Sequence, residues 1–171
     1  MPTRCFVVHR LTFVSETLHS PWISQGVVMP MPVTMGATFN KSLLTQVGQA
    51  IAREATACGV TRAFSPEINV CTDPRFGRTQ ENFGGDATHV AACGVAIATG
   101  LGGEGNADSP SEYVLPGHVS CEAKHLAAYG AGEMDGAPAD VSPMTLHDIY
   151  LKPWKKFFAA GGRGRTAAIC R

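Results

Sequence analysis

The chain has few charged residues and no excess of either sign. Asp, Glu, Lys and Arg make up 16% of its 171 residues, and 14 basic side chains balance 14 acidic ones. A surface that binds nucleic acid needs a basic excess, and a disordered chain needs more charge and fewer apolar residues than the 44% present here. The composition therefore predicts an ordered protein that does not bind nucleic acid.

Several sequence patterns are also missing. No apolar run reaches the roughly 7–15 residues of a signal-peptide core or the ~20 residues of a membrane span, so we predict neither in this chain. The six cysteines are scattered singly, which favours buried thiols and leaves disulfides open. No group of His, Cys, Asp and Glu has metal-ligand spacing, and no GxSxG nucleophile elbow occurs. We predict no metal.

One glycine pattern formally resembles a dinucleotide-binding loop. Gly100, Gly102 and Gly105 in "GLGGEG" satisfy GxGxxG. That fingerprint requires a strand before it and a helix after it, whereas here a helical stripe precedes it. We interpret the glycines as the end of a helix and predict no cofactor.

The pattern of apolar residues alternates between strands and helices. Extended segments are predicted in "LTFV", "VTRAFSPEINV", "HVSCEAKHLAAY" and "GRTAAIC". Helical stripes follow the N-cap candidates Asn40 and Asp86, and a third helix begins at Ser142-Pro143, with a kink expected at Pro153 and an end at Gly161-Gly162. This alternation predicts the α/β class, with a parallel sheet built from right-handed crossovers.

Polar side chains cluster where three of these predicted strands end. They are Glu16 and His19, then Arg75 and Arg78, then Lys124 and His125. Parallel α/β proteins bind ligands at the carboxyl ends of their strands, so these residues are site candidates. From the residues alone, Glu16 could instead cap a helix, and the Lys124-His125 pair could be ordinary surface charge. An arginine fork suits sugar hydroxyls or a structural carboxylate, and the neutral charge favours a sugar ligand.

Several segments resemble the N-terminal domain of family 3 glycoside hydrolases, the β-glucosidases and β-xylosidases. They are "FSPEINVCTDPRFGRTQENFGGD", "EAKHLAAYG", "GVVMPMPVTMGATFN" and "DVSPMTLHDIYLKPW", and the resemblance covers about residues 14–168. Phe76, Gly85 and Leu126 depart from the usual Trp, Glu and Phe. The resemblance implies a partial (β/α)8 TIM-type barrel, roughly its second to fifth strand units, with residues 1–171 forming one fragment of the domain.

The resemblance also implies roles for the clustered side chains. Glu16, Arg78, Lys124 and His125 match residues that bind the sugar in the innermost subsite. Asp73 and Arg75 are expected to brace the loop after the second strand. The full-length relatives hydrolyse terminal non-reducing β-D-glucosyl or xylosyl residues by a retaining mechanism. The implied partner is therefore a β-linked oligosaccharide or glucoside, with glucosides favoured and protein partners left open.

The family's two catalytic carboxylates are not expected among these 171 residues. The nucleophilic Asp belongs to a strand beyond "RTAAIC", and a complete barrel needs roughly 250 residues. Glu67 and Glu122 fall within predicted strands, away from the expected rim. We therefore expect the chain alone to be inactive. The alternative is a non-catalytic sugar-binding or interaction protein derived from the same barrel. The family is often secreted, but localisation stays open here.

Overall fold

The sheet contains four parallel strands in the order in which they occur along the chain. The computed structural model describes residues 11–103, 115–132, 134 and 138–161, together with the backbone of 164–167. The strands are β1 (Val14–Glu16), β2 (Arg62–Phe64), β3 (Ser120–Leu126) and β4 (Gly164–Ala167). Every neighbouring pair is parallel. An order that never reverses is typical of a barrel segment and not of a doubly wound sheet, which reverses at its switch point.

Helices connect the strands, as the alternation predicted. They are α1 (Pro32–Ala37), α2 (Lys41–Ala57), α3 (Ala87–Gly102), α4 (Pro143–Thr145) and α5 (Lys152–Ala159). All three predicted N-caps are confirmed: the side chains of Asn40, Asp86 and Ser142 accept hydrogen bonds from the backbone N–H three residues later. Each satisfies one of the N–H groups that a helix start leaves unpaired.

The helix expected to kink at Pro153 is irregular before that residue. A π-helical turn, Leu146–Tyr150, separates α4 from α5. Pro153 lies in the first turn of α5, where the missing N–H of proline breaks no helical hydrogen bond. Helix α5 ends at Ala159, and Gly161 adopts a left-handed φ of 89° just beyond it. The predicted end is confirmed within two residues.

The core lies between the sheet and the pair α2 and α3, which pack closely. A Cβ on Gly48 would lie 2.6 Å from the carbonyl oxygen of Ile97, so only glycine permits this approach. Gly100 contacts α2 from the other side of the same interface. Gly100 and Gly102 therefore belong to the last turns of α3, as interpreted from the sequence, whereas Gly105 lies outside the described residues.

The second strand is shorter than the sequence predicted. "VTRAFSPEINV" was expected to run extended to Val70, but β2 ends at Phe64. Pro66 has no N–H to donate to a ladder, which ends regular pairing there. The chain still runs beside β3: Lys124 donates to the Pro66 carbonyl and Ile68 donates to the Lys124 carbonyl. Glu67 is thereby carried to the carboxyl end of the sheet.

Among the described helices, none combines the length and apolar character needed to cross a bilayer.

Candidate functional site

Strand β3 brings Lys124 and His125 to the carboxyl end of the sheet. Consecutive strand residues normally point to opposite faces. Here the pairing of β3 with β4 shifts register between Lys124 and Leu126, and such an irregularity re-aims side chains. Both Lys124 and His125 consequently lie within 4 Å of the Glu67 carboxylate, and they are only 4% and 8% exposed.

Strand β1 contributes the closest partner of Lys124. The Lys124 Nζ lies 2.6 Å from Oε1 of Glu16, the last residue of β1. The second carboxylate oxygen of Glu16, Oε2, is buried and has no hydrogen-bond partner among the described residues. A buried acceptor without a donor is unfavourable, so this oxygen is suited to accept a hydrogen bond from a ligand hydroxyl.

The loop after β2 holds Arg78 through two short 3₁₀ turns, Pro74–Phe76 and Thr79–Glu81. Gly77 between them has a φ of 88°, a left-handed conformation that favours glycine. The guanidinium of Arg78 donates to both oxygens of Glu81, at 2.9 and 2.6 Å, and to the Tyr129 hydroxyl at 3.3 Å. This fork orients Arg78 and raises its pKa above the ordinary value, chiefly through the hydrogen bonds to Glu81.

Glu67 occupies the centre of the cluster, which corrects the expectation that it lies away from the rim. Glu67 is 0% exposed. Its Oε1 accepts from the Asn69 side chain at 2.8 Å, and its Oε2 lies 3.4 Å from Arg78 Nη2 and 3.8 Å from Lys124 Nζ. The early end of β2 at Pro66 explains the error. Glu122, by contrast, pairs with Arg62 at the start of β2, with 3.3 Å between Oε2 and the Arg62 Nη1.

Burial and neighbouring charges move the carboxyl pKa values in opposite directions. Desolvation by burial raises the pKa of Glu67 to about 9 and outweighs the nearby Arg78. Burial also acts to raise the pKa of Glu81, but hydrogen bonding and charge from Arg78 hold it below its usual range. Burial thus favours the protonated form of Glu67, whereas Arg78 favours the ionised form of Glu81.

Asp73 and Arg75 lie in the same loop but do not line the cavity. Arg75 Nη2 is 2.6 Å from Asp73 Oδ2, and the Arg75 side chain is 63% exposed. Asp73 also accepts from the Arg75 backbone N–H, which caps the first 3₁₀ turn. Hydrogen bonds from Arg75 lower the pKa of Asp73 to about 2. Their expected role in bracing the loop stays a prediction.

The cluster opens into a cavity of about 260 Å³. Its lining residues are Glu16, Leu18, His19, Trp22, Met31, Arg78, Glu81 and Lys124. The volume lies just under the ~300 Å³ at which small-molecule sites begin, so it suits one sugar ring. Charged hydrogen-bonding groups form the floor, and Trp22, 78% exposed, offers an apolar face at the side.

His125 lies behind this lining and not on it. Its backbone N–H donates to the Asn69 side chain at 2.9 Å, and its ring packs edge-on against Tyr129 with 4.6 Å between centroids. His19, an alternative cap or pocket residue from sequence, lines the cavity and contacts the Met29 carbonyl through Nδ1 at 2.9 Å. No group of three metal-ligating side chains occurs within the part of the chain that the structure describes.

Sequence reasoning missed several members of this site. They are Trp22, Glu67, Asn69, Glu81 and Tyr129. Asn69 lies in the segment "FSPEINV", for which the family pattern is S-P-x-x-D/N-V, and it is the residue that this pattern specifies. Glu67 sits at an unspecified position of that pattern, and Trp22 belongs to no periodic segment. Neither had a signal that spacing alone could reveal.

Comparison with known proteins identifies the family. Residues 11–163 match the glycosyl hydrolase family 3 N terminal domain. A beta-xylosidase of Formosa agariphila is 32% identical over 87% of this chain, and a periplasmic beta-glucosidase of Salmonella typhimurium is 31% identical over 93%. The beta-glucosidase of Listeria innocua, solved in complex with glucose, superposes with a TM-score of 0.84 at 28% identity over 94% of this chain.

The match covers a small share of each of these proteins. The chain spans 21% of the Formosa protein, 20% of the Salmonella protein and 22% of the Listeria chain. The predicted fold, a part of the (β/α)8 TIM-type barrel, is confirmed by the parallel strand order and by these structural neighbours. The chain belongs to glycosyl hydrolase family 3, within its N-terminal domain.

Proposed function

We propose that this chain forms the innermost sugar-binding site of a β-glycosidase that removes terminal β-linked glucose or xylose. The observation that carries the proposal is Glu16, which lines the cavity and whose buried Oε2 has no hydrogen-bond partner among the described residues. A sugar hydroxyl satisfies this oxygen, and the neighbouring Lys124 ammonium can donate to a second hydroxyl. Vicinal sugar hydroxyls can each donate and accept a hydrogen bond, so they match an acceptor, Glu16, beside a donor, Lys124.

Arg78 and His125 contribute differently to sugar binding in this proposal. Arg78 lines the cavity and is oriented by Glu81, so its fork meets hydroxyls in a fixed direction. His125 lies one layer back, in contact with Asn69 and Tyr129. We assign Glu16, Arg78 and Lys124 to direct sugar contact, with His125 supporting that contact or reaching the sugar after a small rotation.

We propose that none of the site carboxylates of this chain attacks the sugar. A retaining glycosidase needs an ionised nucleophile and an acid/base group about 5–5.5 Å apart across the glycosidic bond. Glu16 is held by Lys124, Glu81 is held at both oxygens by Arg78, and Glu67 is fully buried. None is both ionised and unengaged. We therefore propose that the 171 residues bind sugar without turnover, and that the whole protein hydrolyses the glycoside with carboxylates from other segments.

The named relatives support both sugars as substrates. One is a beta-xylosidase and two are beta-glucosidases, one of which was solved with glucose bound. Both sugars present equatorial hydroxyls to a site of this kind, and the cavity volume suits either ring. We therefore propose the shared substrate class, a terminal β-D-glucosyl or β-D-xylosyl residue.

The test compares the 171-residue chain with the product of its full transcript. Both are incubated with nitrophenyl β-glucoside and nitrophenyl β-xyloside, with Arg78→Ala as the site variant and Arg75→Ala as the control in the same loop. We expect nitrophenol release by the full product only, strongly reduced by Arg78→Ala and retained by Arg75→Ala. Release by the 171-residue chain that Arg78→Ala abolishes would contradict the assignment of the carboxylates. Sugar binding by the full product without release would indicate the non-catalytic alternative.

A further inference from the structure

We propose that Glu67 is a positioning residue of the sugar site and acts as a neutral carboxylic acid. The proposal rests on the proposed sugar-binding function, which it deepens. Glu67 does not line the cavity, yet it lies under both cations that do, Arg78 and Lys124. Its protonation state therefore controls where those two cations point.

The geometry gives each cation a closer carboxylate than Glu67. Arg78 Nη2 is 2.6 Å from Glu81 but 3.4 Å from Glu67. Lys124 Nζ is 2.6 Å from Glu16 but 3.8 Å from Glu67. Two cations are thus already balanced by two nearer anions. A negative charge on Glu67 would be a third anion in a fully buried position, which is strongly unfavourable without its own counter-charge.

The remaining neighbours of Glu67 fit a neutral acid. Glu67 is fully buried, and a carboxyl group without water is less costly in its protonated form. Asn69 Nδ2 donates to Oε1 at 2.8 Å, which uses the carbonyl oxygen of the acid. His125 Nδ1 lies 3.8 Å from Oε1, farther than the 2.6 Å that separates Arg78 from Glu81 and Lys124 from Glu16.

A neutral Glu67 leaves the N–H groups of Arg78 and Lys124 available to a sugar. An ionised Glu67 would compete with Glu16 and Glu81 for the same two cations and draw them below the cavity floor. Ionisation of Glu67 above neutral pH is therefore expected to weaken sugar binding. An amide at this position preserves the neutral form, because it offers one acceptor and one donor in the same places.

The first test observes the proton itself and needs no sugar. Infrared difference spectra between the full-length protein and its Glu67→Gln variant are recorded from pH 6 to pH 11. We expect a protonated-carboxyl band that belongs to Glu67 at pH 7 and disappears near pH 9. Glu122→Gln, which replaces a carboxylate of β3 that pairs with Arg62, should leave this band intact. No Glu67 band at pH 7 would overturn the proposal whether or not the protein binds sugar.

The second test measures glucose and xylose affinity of folded variants at pH 7. Glu67→Gln should bind within about threefold of the parent, whereas Glu67→Ala, which removes the partner of Asn69, should bind at least about tenfold more weakly. Rescue by the amide is an outcome that lost packing alone would not produce. Glu67→Gln should also keep its affinity at pH 10, where the parent weakens. A parent that keeps the Glu67 band but binds neither sugar would refute the proposed function and leave the protonation state standing. A loss of at least about tenfold in folded Glu67→Gln would show that the ionised form is needed and would overturn the proposal.

Discussion

Lys124 Nζ lies 2.6 Å from Glu16 Oε1, although the two residues are 108 positions apart in the chain. Glu16 ends β1 and Lys124 lies near the end of β3, with β2 between these strands in the sheet. The contact exists because parallel strands bring their carboxyl ends to one edge. It fixes one oxygen of Glu16 and leaves the other buried without a donor among the described residues.

Arg78→Ala and Arg75→Ala are expected to separate sugar binding from loop support. Arg78 lines the cavity, so its loss leaves sugar hydroxyls and Glu81 without a donor and should weaken binding by about 2 kcal/mol or more, roughly thirtyfold. Arg75 is exposed and should change affinity less than about twofold. Calorimetric titration of the full-length protein with glucose and xylose measures both. Equal losses in the two variants would contradict the assignment.

The Asp73–Arg75 pair predicts a stability change confined to acid pH. The pKa of Asp73 is about 2 in the folded protein against 3.8 without its partner. The pair therefore contributes stability above pH 3.8 and loses it as the pH falls toward 2. Urea unfolding of the parent and Arg75→Ala should differ at pH 5 and converge near pH 2. A difference that persists at pH 2 would assign the effect of Arg75 to another contact.

The raised pKa of Glu67 predicts that its contribution to the unfolding free energy changes with pH in the opposite direction. Its folded pKa of about 9 exceeds the ordinary 4.5, so the folded state holds a proton that the unfolded chain releases between these values. Unfolding free energy should therefore fall as the pH rises from 4.5 to 9. The parent minus Glu67→Gln difference in unfolding free energy, measured at pH 5, 7 and 9, isolates this contribution from other groups. A difference independent of pH would place the pKa of Glu67 in its ordinary range.

Gly48→Ala tests the close packing of α2 on α3. The added Cβ would lie 2.6 Å from the Ile97 carbonyl oxygen, and the two helices must separate to admit it. We expect a loss of about 1–3 kcal/mol in unfolding free energy. Gln46→Ala, on an exposed position of the same helix, is the matched control and should be nearly neutral. An unchanged midpoint in Gly48→Ala would mean that the helices are not packed as described.

The sequence predicted the helices of the fold well because their signals are local. Asn40, Asp86 and Ser142 each mark a helix start. Their side chains accept a hydrogen bond from the backbone N–H three residues later. The strand after Val60 was predicted too long because apolar and β-branched residues continue past Pro66, whereas pairing depends on a distant strand. Strand length is thus set by tertiary contacts that spacing does not encode.

The sequence indicated only those site residues that lie at or after the end of a predicted strand. Arg78, Lys124 and Glu16 were predicted as candidates because each comes close after an apolar run or near its end, and the structure brings them to one cavity. Glu67 was placed wrongly because it was assigned to the interior of a strand that in fact ends three residues earlier. Trp22 and Tyr129 reach the cluster through irregular segments, for which the sequence carries no period.

The claim that this chain carries the sugar site of a β-glycosidase is tested most directly through Lys124. Lys124→Ala removes the cation that pairs with Glu16 at the cavity floor and leaves that carboxylate buried without its partner. In the full-length protein, kcat/KM for nitrophenyl β-glucoside and β-xyloside should fall roughly thirtyfold or more. This corresponds to a loss of about 2 kcal/mol or more in transition-state stabilisation. A value within about twofold of the parent for both substrates, in a folded variant, would contradict the account.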